Sequence, residues 1–546
     1  MIDRPHIGPR AAALAFAAAL TLPLPAAAQP QGPAGAACAA LVGLKIPASA
    51  IALPTKGAVV DKATRIETDR AGAATPFCAV LGRIAPIDPK APNIEFQINL
   101  PETWNGKALQ MGGGGYNGKI PDATGWSAHD RQTGPTALAR GYLTFSDDSG
   151  HQSASANDGL FAENDEALAN FGALHIRKAR DVAVAIAAKR YGRAPRRVYY
   201  AGGSTGGREA LTAALRWPEA YDGVISNYPT ANFLGLRMQN ESVAKAVYQN
   251  GSLGWIAPEM VRKMAAEGLA ECDALDGVAD GIVSNMAACR AGSAERLKKW
   301  SCPNSPAPLC LTPVQVATTI KVYHEGFSDT WQPQDSANGF KGYNILEGVA
   351  MELGDQPVFK LPLVEGPNAH AALRADEFLK HFVARDPNLD IMTVDVQAPG
   401  ALLPRLKLIA EQIGATSTNY GPFARKGGKV LLMQGADDAL VSPYENIRRY
   451  QAIVDALGEP TVRQFLRFYV APGQGHGVGT FQVSWDNLDQ LDAWVERGVA
   501  PPATPIAYDN NRKTAGRSRP LCEYPAWPKY NGSGDPNLAA SFTCVK

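Results

Sequence analysis

Residues 197–216 constrain the fold of this chain more than any other stretch. Residues 197–201 (RVYYA) form a short apolar run with strand character, Gly202-Gly203-Ser204-Thr205-Gly206 follows, and residues 209–216 are rich in helix formers. A Gly-x-Ser-x-Gly pentapeptide alone is weak, because such a serine can simply cap a helix. Between a strand and a helix it has the setting of a nucleophile elbow. Glycines at 202 and 206 leave room for a sharp turn that presents the Ser204 hydroxyl. The surroundings share this rhythm. Residues 94–100 alternate with period two, 108–111 run into four glycines at 112–115, and 142–145 and 224–225 have strand character. Residues 171–190 have helical spacing. Strands alternating with helices predict an α/β fold with a mostly parallel, helix-covered sheet.

The rhythm breaks from about 229 to 425, a stretch with four of the eight cysteines and with Pro303, Pro306 and Pro308. It resumes at 429–433 and 465–470, followed by a helix around 483–497 and an irregular, Pro-rich tail from 500 to 546. The organisation predicted is one α/β domain in two parts, 29–228 and 426–546, with a large lid at 229–425 inserted between them.

The chain has 546 residues, with 53 Lys+Arg against 52 Asp+Glu, 45% apolar and 19% charged residues. That balance excludes a disordered chain and argues against electrostatic nucleic-acid binding. Residues 1–28 read as a secretory signal peptide: Arg4 and Arg10, an apolar run at 11–25, and Ala26-Ala27-Ala28 before Gln29. Export to the periplasm or the medium is expected, with no later membrane span. Eight cysteines (Cys38, Cys78, Cys272, Cys289, Cys302, Cys310, Cys522 and Cys544) then read as disulfides formed in an oxidising compartment. Locality suggests 38–78, 272–289, 302–310 and 522–544, although sequence alone cannot pair them. No Cys-x-x-Cys occurs, which disfavours zinc.

A serine nucleophile needs a base, and the base needs an orienting acid; in the α/β-hydrolase order these follow as Ser, acid, His. Strand 429–433 leads into Gln434-Gly435-Ala436-Asp437-Asp438, so Asp437 and Asp438 compete for the acid role. Strand 465–470 leads into a loop with His476, the expected base. His129 and His151 precede the serine, and His175 lies in a helix as a surface or packing residue. An oxyanion needs backbone N–H donors. Thr205, just after the serine, is the expected first, and the 112–115 loop the source of the second, from Gly114 or Gly115.

A further cluster is Asp273-Ala-Leu-Asp276-Gly277-Val278-Ala-Asp280-Gly281-Ile282. Carboxylates of Asp273, Asp276 and Asp280 with carbonyls of Val278 and Ile282 would make a calcium shell, although not an EF-hand; the alternative is a solvated acidic turn.

The segments WNGKALQMGGGG (104–115), DDSGHQ (147–152), GGSTGGRE (202–209), CDALDGVADGIV (272–283), GADDALVSP (435–443), GQGHG (473–477) and RPLCEYPAWPKYNGSGDPN (519–537) resemble the tannase/feruloyl esterase family of α/β-hydrolases, which includes mono(2-hydroxyethyl) terephthalate hydrolase. The resemblance spans about 38–546. It implies an α/β-hydrolase fold with a large inserted lid, and a triad of Ser204, His476 and Asp438. It also implies four disulfides in the local pairing, and a structural Ca2+ in the lid with no organic cofactor. The implied activity is hydrolysis of small aromatic acid esters of feruloyl type. Galloyl esters or a terephthalate half-ester are the alternatives, and an inactive ligand-binding relative or a serine peptidase on the same fold are readings of another class. One departure stands out. The family typically carries a bonded cysteine pair just before the serine and just after the histidine, where this chain has Gly203 and Gly477. A looser Ser204–His476 geometry, or compensating packing, is expected. The lid aromatics Trp255, Tyr323, Phe340, Tyr343 and Phe359 are equally compatible with core and substrate roles. Arg374, Arg385 and Arg405 are candidate cations for a substrate carboxylate.

Overall fold

A computed structural model describes residues 38–304, 309–331 and 338–546. The expected signal peptide, 1–28, lies outside the described residues. The main sheet has ten strands: β1 (Lys45–Ile46), β2 (Ala58–Thr68), β3 (Ala74–Ile84), β4 (Ile94–Pro101), β5 (Lys107–Met111), β6 (Leu143–Asp147), β7 (Arg197–Gly203), β8 (Gly223–Asn227), β9 (Lys429–Gly435) and β10 (Leu466–Ala471). Their spatial order is β1-β2-β3-β4-β6-β5-β7-β8-β9-β10. Pairing is antiparallel from β1 to β6 and parallel from β6 through β10. No strand is expected from the sequence before residue 90, yet β2 and β3 each run 11 residues. In β2 burial does not alternate cleanly, and in β3 it alternates over 78–84 but residue type does not, because Leu81 is exposed and Gly82 buried, so the period-two signal is weak in both.

The parallel strands read as continuous apolar runs because both faces are covered. Val198 and Tyr200 of β7, with Val430 and Leu432 of β9, join one core beneath helices α1 (His175–Tyr191) and α2 (Thr205–Arg216). Their neighbours Tyr199, Ala201, Leu431 and Met433 face the other way. There they meet Leu488, Leu491 and Trp494 of a later helix, Asn487–Arg497, whose spacing puts all three on one side. This helix begins a few residues later than the periodicity suggests, because Val483–Ser484 pairs as a short strand.

Between β8 and β9, which are parallel neighbours, the chain leaves the sheet entirely. This excursion has its own core, in which helices α3 (Phe233–Ser252) and α4 (His370–Glu377) pack together. Phe233 and Phe382 pack on Phe171, which precedes α1, and Phe378 packs on Phe233, so this core is continuous with the edge of the sheet domain. The disulfides are Cys38–Cys78, Cys272–Cys289, Cys302–Cys310 and Cys522–Cys544, the local pairing. The tail is more regular than its composition suggests: Trp527–Tyr530 and Phe542–Val545 form a hairpin closed by the last bridge. Among the described residues no helix is long and apolar enough to cross a membrane.

Candidate active site

Ser204 sits between β7 and α2 with φ 58° and ψ −120°, a conformation that is unfavourable for a residue with a Cβ. The flanking glycines make the turn possible. A Cβ at Gly202 would lie 2.5 Å from the Gly206 backbone, and one at Gly206 would lie 2.8 Å from Gly113 O. The end of β8 and the turn after it grip the serine backbone: Ser204 N–H donates to Asn227 O at 3.0 Å, and Thr230 N–H donates to Ser204 O at 3.2 Å.

His476 and Asp438 come from loops at the carboxyl ends of β10 and β9. His476 Nε2 lies 3.0 Å from Ser204 Oγ, and His476 Nδ1 lies 2.9 Å from Asp438 Oδ2. Asp438 is buried, and its Oδ1 accepts the Leu440 and Val441 N–H groups at 2.9 and 2.8 Å, which leaves Oδ2 aimed at the histidine. Asp437 points elsewhere; burial raises its carboxyl to about 7, with the Gly473 backbone partly offsetting that. Ser204, His476 and Asp438 thus form a continuous relay of the kind that activates a serine hydroxyl.

Thr205 is the first residue of α2, so its N–H precedes the helix's own ladder. Its hydroxyl donates to Gly115 O at 2.6 Å, and Gly206 N–H donates to Gly113 O at 2.9 Å, docking the 112–115 loop on the start of α2. Thr205, Gly114 and Gly115 line a cavity of about 480 Å³ together with Ser204 and His476. Backbone donors on both sides of the serine suit a tetrahedral oxyanion.

The far wall is cationic. Arg237 of α3 and Arg374 of α4 both line the cavity and both lie over the Tyr116 ring, 5.0 and 5.3 Å from its centroid. Arg237 is 4% exposed, and its Nε has no hydrogen-bond partner. Arg374 donates to Ala156 O and to His370 Nε2. Among the described residues neither guanidinium has a carboxylate at ion-pair distance. Burial, together with the neighbouring Arg237, lowers Arg374 to about 10; burial and Arg374 lower His370 to about 3, so His370 is neutral. Glu352 stands at the mouth, 3.9 Å from His370. Of the three lid cations expected from the sequence only Arg374 faces the cavity; Arg385 and Arg405 both pair with Asp165. Tyr323 and Tyr343 line it, whereas Trp255, Phe340 and Phe359 belong to the lid core and its margin.

Beneath the glycine loop lies a buried ionic cluster. His175 is neither a surface residue nor an apolar packing residue, contrary to expectation. Its Nδ1 lies 2.6 Å from Asp147 Oδ1, and its Nε2 lies 3.4 Å from Glu209 Oε1, an ion-pair contact rather than a hydrogen bond. Burial opposes its charge, but the two carboxylates outweigh burial and lift His175 to about 10. Burial would raise Glu209, but the His175 charge lowers it to about 2. Tyr200 and Asn117 also donate to Glu209, and a Cβ at Gly112 would lie 2.7 Å from it. The cluster is therefore the floor of the glycine loop.

The acidic segment 273–282 is tightly folded. Asp273 Oδ1 accepts the N–H groups of Asp280, Gly281 and Ile282, and Asp280 pairs with Arg519. Asp276 Oδ2 is buried without a hydrogen-bond partner. Among the described residues no three His, Cys, Asp or Glu side chains converge as a metal cage.

The Ser204–His476 separation of 3.0 Å is that of an ordinary hydrogen bond, with glycine at both 203 and 477. Tyr228 lies beside both glycines. Sequence reasoning missed Tyr228, Arg237 and the roles of His175 and Glu209. Only Glu209 had a local signal, its place in the GGSTGGRE segment.

A family profile described as tannase and feruloyl esterase matches residues 78–545. The chain is 49% identical over 523 residues to an uncharacterized esterase of Agrobacterium fabrum, covering 95% of this chain and 94% of that protein. It is 29% identical over 553 residues to the mono(2-hydroxyethyl) terephthalate hydrolase of Piscinibacter sakaiensis, covering 88% and 86%. Feruloyl esterase B from Aspergillus oryzae superposes with a TM-score of 0.75 at 21% identity, covering 94% of this chain and 100% of that one.

Proposed function

The chain is an esterase of the tannase and feruloyl esterase family with an α/β-hydrolase fold, and from that premise we propose that it hydrolyses aromatic acid esters through Ser204, His476 and Asp438. The observation that carries this is the unbroken 3.0 and 2.9 Å relay facing a 480 Å³ cavity. Ser204 Oγ attacks the ester carbonyl while His476 Nε2 takes its proton. Asp438 holds the imidazole with Nδ1–H directed at itself, which keeps Nε2 free as acceptor. The N–H groups of Thr205 and of Gly114 or Gly115 stabilise the oxyanion. Collapse breaks the ester C–O bond, and His476 returns the proton to the departing alcohol. Water, activated by the same imidazole, then releases the acid from Ser204. Hydrolysis of methyl ferulate, propyl gallate and a p-nitroanilide peptide tests the reading. The esters should turn over and the peptide should not; the reverse pattern would make the protein a peptidase.

Arg237 and Arg374 favour a second reading of the substrate, an aromatic half-ester with a free carboxylate. A buried guanidinium without an anionic partner is costly unless a ligand supplies one. The terephthalate half-ester named for the Piscinibacter relative has this chemistry. Arg237→Ala is expected to lower kcat/KM for mono(2-hydroxyethyl) terephthalate by about 30-fold, the low end of truncating one side of a buried charge contact at roughly 2 kcal/mol. The corresponding uncharged diester should change far less. Equal losses on both would exclude a carboxylate contact.

Calcium is the ion proposed for the acidic segment. Asp276 Oδ2 is its free buried oxygen, and Asp273, Asp280 and the Val278 and Ile282 carbonyls are the other hard donors. Asp280 would have to share or release Arg519. Chelation with EGTA is expected to lower the thermal midpoint and added Ca2+ to restore it; identical melting with and without chelator would remove calcium from the account. Secretion or a periplasmic location is proposed from the four disulfides, which persist in oxidising compartments.

A further inference from the structure

The serine loop and the histidine loop share no backbone hydrogen bond. The histidine loop is tied to the acid loop, with Asp437 N–H donating to Gln474 O at 3.0 Å. Ser204 is instead held by Asn227 and Thr230. Between these two lies Tyr228, with φ 35° in the left-handed region and its N–H 2.6 Å from Met433 O. That conformation sends the ring across the gap between the loops. A Cβ at Gly203 would lie 2.5 Å from the phenol oxygen, and one at Gly477 would lie 3.6 Å from it. The ring centroid is 4.8 Å from that of His476. On another side the His129 ring meets it edge-on at 5.3 Å, and His129 is anchored by its Nδ1 2.7 Å from Val483 O.

We propose that Tyr228 is a positioning residue that holds Ser204 and His476 in register. It works because one short segment, 227–230, both grips the serine backbone and presents a braced ring to the imidazole. This rests on Ser204 and His476 being nucleophile and base. Loss of the brace should reduce turnover rather than binding, because a misplacement of about 1 Å costs on the order of 100-fold in rate.

The test is a double-mutant cycle on kcat and KM with methyl ferulate, alongside the rate of Ser204 labelling by a fluorophosphonate. Tyr228→Ala is expected to lower kcat and the labelling rate at least 30-fold, with KM moving less than threefold. Tyr228→Phe, which keeps the ring, should recover most of the loss. Gly203→Ala puts a Cβ 2.5 Å from the phenol oxygen, so it should lower kcat about tenfold in the wild type but less than twofold in the Tyr228→Ala background. A kcat for Tyr228→Ala within threefold of wild type, or additive effects of Gly203→Ala and Tyr228→Ala, would overturn the proposal. Ser204→Ala separates the two levels. If that variant still hydrolyses ester, the triad reading itself fails; if it is inactive while the cycle is additive, only the role of Tyr228 fails.

Discussion

Ser204→Ala should lower kcat by a factor on the order of 10⁶, because a serine, its base and its acid act as a unit and removing the nucleophile removes nearly all that the unit does. The thermal midpoint should barely move, since among the described residues the hydroxyl's one hydrogen bond is to His476 at 3.0 Å. Asp438→Asn should cost about 10⁴ in kcat. The amide keeps the shape and can still receive the Leu440 and Val441 N–H groups. If it presents its NH2 to Nδ1, however, the imidazole carries its proton on Nε2 and can no longer accept one from Ser204. Asp437→Asn, by contrast, alters a carboxyl that does not touch the histidine, and should leave kcat within a few-fold. Steady-state kinetics with purified variants check all three. A Ser204→Ala enzyme retaining more than about a hundredth of the wild-type rate would contradict the mechanism.

The second large effect concerns stability. His175→Ala should destabilise the protein by about 3–5 kcal/mol, because it strands the buried carboxylates of Asp147 and Glu209 without their shared cation. Glu209→Gln should cost less, as His175 keeps Asp147. The pH dependence separates this from simple loss of packing. His175 is raised in the folded state to about 10 from an ordinary 6.5, so its contribution is fully present below pH 6.5 and is lost as pH rises through 10. Glu209 is lowered to about 2 from 4.5, so its contribution is present above pH 4.5 and is lost as pH falls through 2. Thermal or denaturant unfolding of the wild type between pH 6.5 and 10 should therefore show a decline that His175→Ala lacks. Parallel curves for the two proteins would mean that the imidazole is not charged in the fold. Because the cluster is the floor of the 112–115 loop, the variant should also turn over more slowly.

What the sequence by itself determined is mostly local. The strand, the Gly-Gly-Ser-Thr-Gly turn and the helix after it could be read directly, because close packing at Gly202 and Gly206 forbids other residues and a short continuous apolar run bounded by turn residues marks a buried strand. Loop residues at the ends of β9 and β10 were legible for the same reason, as was the break in rhythm between β8 and β9. The disulfides followed locality. Strands β2 and β3 were invisible, because burial in β2 does not alternate cleanly and in β3 residue type does not follow burial, with Leu81 exposed and Gly82 buried.

The tertiary structure decided whatever depends on residues far apart in the chain. Asp437 and Asp438 are indistinguishable by spacing, and only the loop geometry aims one of them at His476. Arg237 and Arg374 are 137 positions apart and become one cationic wall only when α3 and α4 pack around Tyr116. His175 looks like an ordinary helical residue until the fold buries it between carboxylates from β6 and α2. The acidic segment carries an oxygen-rich sequence, but its folded hydrogen bonds and Arg519 already occupy Asp273 and Asp280. Tyr228 gains its place only because the turn after β8 lies beside two glycines that are 274 residues apart. Periodicity and turn chemistry are set by neighbours in the chain. Partners, desolvation and charge are set by neighbours in space, and those exist only after the chain has folded.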